Sequence, residues 1–146
     1  MPYAPFHEKF PRVAEEETRS IIAPSHSKLP KGKYVLVELF CDEPDCDCRR
    51  VFFDVFYEEK KKSVAVVAYG WEDREFYENW SSKNDPEIID DLKGPALNKA
   101  SPQSKLAPRV LELIEQVLKD NQYVERIKRH YHLFKEQIEK DEKTYR

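Results

Sequence analysis

The chain has 146 residues, 40% apolar and 36% charged, with a formal net charge of −3. That length fits one domain, and eight Phe, eight Tyr and two Trp give enough bulk for a core to exclude global disorder. The longest strongly apolar run, 64–71, is far short of the ~20 residues a spanning helix needs, and residues 1–33 lack an apolar signal stretch, so a cytoplasmic protein with no membrane association is expected.

Residues 1–30 carry Pro2, Pro5, Pro11, Pro24 and Pro30. Each proline fixes φ and removes a donor, which prevents long regular elements. This stretch reads as an N-terminal arm, part of the same domain and draped over it, with a mobile end. Within it, 14–22 suits a short helix or an edge strand. Residues 31–146 form the α+β domain proper. Three strands follow the Lys31-Gly32 turn: 33–40 with Val35, Val37 and Leu39 on one face, 50–57 with Val51, Phe53 and Val55 on one face, and 63–69. Short connections favour a small antiparallel meander, and apolar bulk on both faces calls for cover on each.

After Gly70 the period becomes helical. A short helix is expected over 73–80 and another after Asp85-Pro86, ending at Gly94-Pro95. Residues 94–108 read as loop. Two C-terminal helices then pack the sheet. In 108–119, Val110, Leu113, Ile114 and Val117 form one stripe; in 122–140 the seam is Tyr123, Val124, Ile127, Tyr131, Phe134 and Ile138.

The chemistry concentrates between the first two strands, in Cys41-Asp-Glu-Pro-Asp-Cys46-Asp-Cys48. Three thiols cannot all pair within one molecule, and a chain without an export signal is a poor setting for disulfides. Thiolates are zinc ligands, and Pro44-Asp45 supplies a turn that lets Cys41 face Cys46 and Cys48. Asp42, Glu43, Asp45 and Asp47 are expected to raise the thiol pKa values, which disfavours a nucleophilic or redox role and favours a dication. The C-x4-C-x-C spacing matches no named zinc-finger pattern, and the acids lack the spacing and central glycine of a calcium loop. A fourth ligand is needed. On a 100° wheel His130 lies about 60° from Ile127, at the flank of the seam, whereas His132 falls on the opposite, polar side. His130 is therefore the candidate, with Asp45, Asp47 and water as competitors.

The net charge conceals an acidic front and a basic later segment: residues 93–135 hold nine basic and four acidic side chains. Arg126, Lys128, Arg129 and Lys135 are candidates for tracking phosphates. The nearby aromatics fall on the apolar seam rather than beside the charges, which weakens a base-stacking role. No hydrolase, metalloprotease, phosphate-loop or dinucleotide motif is present, and thiolates make zinc a weak Lewis acid. The reading is a small zinc-binding domain with a structural metal, serving as a binding or adaptor protein for a protein or nucleic-acid partner. The alternatives are a nucleic-acid-binding protein using the basic C-terminal helix and a metal-dependent enzyme.

Overall fold

The computed structural model describes residues 3–82 and 84–144, and in it the proline-rich start adds two strands to the sheet and packs Phe6 and Ala14 onto the core. Strand β1 (Tyr3–Pro5) leads through helices α1 (Phe6–Lys9) and α2 (Pro11–Glu17) into β2 (Ser20–Ala23). Pro11 opens α2, where its missing N–H would have had no helical acceptor anyway. Both short strands pair antiparallel with β3 (Gly32–Cys41), β2 along its first residues and β1 along its last, Tyr3 lying opposite Cys41. Helices α1 and α2 occupy the excursion between them. Met1 and Pro2, where a mobile end is expected, lie outside the described residues.

Strand β3 continues the expected meander through β4 (Arg50–Tyr57) and β5 (Lys62–Gly70). Among the described residues the sheet therefore has six strands rather than three, since β1, β2 and the two-residue β6 (Ala96–Leu97) join its margins. All its pairings are antiparallel. On β4 the helix-covered face carries Val51, Phe53, Val55 and Tyr57, as the alternation predicts. On β3 that face is the one opposite Val35, Val37 and Leu39. Tyr34, Leu36 and Phe40 are fully buried, while Val35, Val37 and Leu39 are half-buried on the other side. Glu38 shares the inner face and is 4% exposed. A buried carboxylate needs partners, and these dictate what packs above it.

The helices stop and start on local chemistry. Asp73 caps α3 (Arg74–Ser81) through the Phe76 N–H, and Asp85 caps α4 (Pro86–Lys93) through the Glu87 N–H. Gly94 ends α4 at φ +60, where an added Cβ would lie 2.1 Å from the Ala68 carbonyl oxygen. Helices α5 (Ala107–Val117) and α6 (Asn121–Thr144) cover the inner face. In α6, Tyr123, Ile127, Tyr131, Phe134 and Ile138 are buried, each such side chain contributing about 1.5–3 kcal/mol. No helix among the described residues is long and apolar enough to cross a membrane.

The free edge of β5 is closed by the segment expected as loop. Beyond β6, the Gln103 side chain accepts from the Val66 N–H at 3.0 Å and donates to the Val66 carbonyl at 2.9 Å. With the Asn98 N–H on the Val66 carbonyl and the Ser104 N–H on the Val64 carbonyl, this amide extends the cover of the β5 edge beyond β6.

Gly70 ends β5 against the fully buried Tyr77, whose hydroxyl donates to the Arg49 carbonyl at 2.8 Å. A Cβ at Gly70 would stand 2.1 Å from that hydroxyl oxygen. Gly70→Ala is expected to destabilise the fold by about 1–3 kcal/mol through overpacking. Urea unfolding checks this, and an unchanged midpoint would show that Tyr77 is free to shift.

Candidate metal centre

The β3–β4 connection gathers its three cysteines at the end of the sheet. Cys41 is the last residue of β3, and Cys48 lies two residues before β4. Between them the Cys46 N–H donates to the Glu43 carbonyl at 3.2 Å, closing a turn over Pro44 and Asp45, the proline occupying the position where its fixed φ is favoured. The three sulfurs lie within 4.8 Å of one another. Sulfurs around a tetrahedral zinc at 2.3 Å are separated by about 3.8 Å, so small side-chain rotations suffice to close the set. All three are unpaired thiols; Cys41 and Cys48 are buried and Cys46 is half-buried. The site can hold one soft or borderline divalent ion through three thiolates.

Helix α6 holds this loop in place. The Tyr131 hydroxyl donates to Asp47 Oδ1 at 2.8 Å and accepts the Arg49 N–H at 3.2 Å. One turn on, Lys135 Nζ donates to the Cys41 carbonyl at 2.8 Å and the Glu43 carbonyl at 3.3 Å. Residues four apart share a helix face, so the two side chains grip opposite arms of the loop. Arg49 has φ +50, an unfavourable conformation for a residue with a Cβ. It is fixed by Tyr131 and Tyr77 on its backbone and by Asp47 and Glu72 on its guanidinium. Arg50 turns away from the loop acids, donating to the Leu92 carbonyl and the Tyr3 hydroxyl.

Cys46 and Cys48 are both held against ionisation. Burial, followed by the neighbouring Cys48 and Cys41 sulfurs, pushes the Cys46 thiol up to about 12, and burial with Cys41 raises Cys48 as well. The loop acids were the expected cause, but they are exposed and do not drive these shifts. Lys135 opposes the rise at both residues, and the Arg50 N–H bonds the Cys48 sulfur. A dication would replace these protons and satisfy the crowded sulfurs together.

His130 is not with the cysteines. It is fully buried, with Nδ1 2.7 Å from Glu38 Oε1 and Nε2 2.9 Å from Glu17 Oε1. Phe6 stacks on its ring at 4.3 Å. Both ring nitrogens are engaged, so the proposed fourth-ligand role gives way to a tie joining β3, α2 and α6. Glu38 was the missed signal: an acid within a face of Tyr34, Leu36 and Phe40 requires a polar partner from the helix above. Burial raises the Glu38 pKa, partly offset by His130. Burial works against the imidazolium too, but its two carboxylate neighbours outweigh it and raise His130. Glu17 is lowered, chiefly by its hydrogen bond from Arg129.

The basic candidates have internal partners. Arg126 donates to the Glu17 carbonyl at 3.1 Å, Arg129 pairs with the Glu17 carboxylate, Lys128 lies 3.1 Å from Glu125, and Lys135 belongs to the cysteine loop. Arg126 and Arg129 thus meet at Glu17, while Lys128 and Lys135 have separate partners. His132 is exposed on α6, and His7 and His26 are exposed near the chain start.

The His130 network has a signed pH dependence. A raised His130 contributes fully below its ordinary value of 6.5, and that contribution is lost as pH rises through its folded value. Glu38 acts in the same direction above 4.5, whereas Glu17, being lowered, loses its contribution as pH falls below 4.5. Thermal melts from pH 6.5 upward are therefore expected to show a steeper fall in Tm for the native chain than for His130→Gln. The variant itself should lose about 3–5 kcal/mol at pH 6, having left two carboxylates without their cation. Parallel Tm curves would remove the charged role of His130.

No protein-family model, curated protein or solved structure matches the chain, so its function is read from this site alone.

Proposed function

We propose that the chain is a small zinc-binding domain in which Cys41, Cys46 and Cys48 hold a structural ion that staples the β3–β4 connection, and that it works as a binding or adaptor protein. The observation that carries the reading is the convergence of three unpaired sulfurs within 4.8 Å of one another, on a loop clamped by α6. Thiolate donors favour zinc over magnesium or calcium, and three of them damp Lewis acidity, which suits a structural rather than a hydrolytic ion. A reducing compartment such as the cytoplasm suits three unpaired thiols. The nucleic-acid reading has less support, because Arg126, Lys128, Arg129 and Lys135 each already have a partner within the chain.

Protein purified without chelator is expected to contain about one zinc per chain, and Cys46→Ser and Cys48→Ser should each reduce that stoichiometry. With free zinc a thousandfold above Kd, binding adds about 4 kcal/mol, so verified metal removal should lower Tm by about 10 °C for a chain of this size. Elemental analysis and paired melting curves check both. Zinc near zero, or metal content unchanged in both variants, would overturn the reading.

A further inference from the structure

Three cysteines leave a tetrahedral ion one donor short, and among the described residues no carboxylate or imidazole is gathered with the three sulfurs as a fourth ligand group. His130 is closed on both nitrogens by Glu38 and Glu17. Asp47 accepts from Tyr131 on one oxygen and from Arg49 on the other. Cys41 and Cys48 are buried whereas Cys46 is half-buried, so the cluster opens to solvent on the Cys46 side. Lys135 is fixed over the same loop by the carbonyls of Cys41 and Glu43. Three thiolates and a divalent ion carry a net charge of −1, and the ammonium beside them makes an additional anionic donor tolerable.

We propose that an ion bound by Cys41, Cys46 and Cys48 takes its fourth ligand from solution on the Cys46 side, and that this ligand is a low-molecular-weight thiolate favoured by Lys135. The proposal rests on the metal-centre reading and adds an exchangeable position to it. A soft sulfur donor matches the existing set. In the exchange a metal–water bond breaks and a metal–sulfur bond forms. The thiol proton passes to the buffer, and no electrons are transferred.

The test uses the full chain loaded with cobalt(II), whose visible ligand-field bands report the donor set. Titration with 2-mercaptoethanol is expected to shift those bands saturably while cobalt stays at one per chain. Imidazole serves as a neutral donor for comparison. Lys135→Met should weaken 2-mercaptoethanol binding about fivefold more than it weakens imidazole binding, as loss of one charge pair implies. Lys135→Arg should restore the thiol affinity. Bands that respond to neither donor while cobalt remains bound would show the fourth position closed and overturn the proposal, leaving the metal centre standing. An equal effect of Lys135→Met on both donors would overturn the role of Lys135. Failure to bind cobalt at all would remove the metal centre itself.

Discussion

The structure depends on how α6 satisfies polar groups that the sheet and its end loop would otherwise leave stranded. Within six residues the helix presents His130 to the buried Glu38, Tyr131 to Asp47 and the Arg49 N–H, and Lys135 to the carbonyls of Cys41 and Glu43. Each partner lies on or beside β3 and the connection that follows it. An unpartnered buried acceptor costs about 1–3 kcal/mol, and more when charged, so these bonds fix the rotation of α6 more tightly than its apolar seam can. Ile127 and Phe134 tolerate sliding; a histidine between two carboxylates does not. The satisfaction is incomplete, since Glu38 Oε2 and the Tyr123 hydroxyl are buried without a hydrogen-bond partner.

The same helix links two regions with opposite electrostatics. On one flank, Glu17 and Glu38 surround a histidine whose proton they retain. On the other, three thiols are crowded until ionisation is costly for Cys46 and Cys48, with Lys135 providing the nearby positive charge. The first region is complete without an ion, because each ring nitrogen of His130 has a carboxylate. The second is a set of soft donors held close together, where the charge of Lys135 only partly offsets the cost of making thiolates of Cys46 and Cys48. The distinction separates a histidine serving the fold from cysteines suited to a metal, although both lie under one helix.

Much of the architecture was legible because it rests on local periodicity. Residues 50–57 alternate so regularly that β4 has the expected bounds, and Asp73 and Asp85 announce their helices by capping chemistry. The cysteine turn was legible too, since Pro44 admits few other geometries. What sequence could not show was decided by pairing across long separations. Tyr3–Pro5, Ser20–Ala23 and Ala96–Leu97 are too short to carry a pattern, and they are strands only because β3 and β5 offer edges. The face of β3 was ambiguous, since Val35, Val37 and Leu39 are as apolar as Tyr34, Leu36 and Phe40. With neither face assigned to the core, Glu38 had no visible partner, and the helical wheel alone offered His130 to the cysteines.

The consequence of a metal at this position follows from where the core lies. Tyr34, Leu36, Phe53, Val55, Ile114, Ile127 and Phe134 belong to one continuous buried cluster, most of which comes from side chains outside the cysteine loop. This differs from small domains whose core cannot form until a metal organises it. Protonated, Cys41 and Cys48 are small apolar side chains already packed into that cluster. The loop is also held by the Tyr131 and Lys135 bonds, which involve none of the three sulfurs. A metal here would therefore act chiefly on the loop, drawing three sulfurs together and stiffening the turn at Pro44-Asp45.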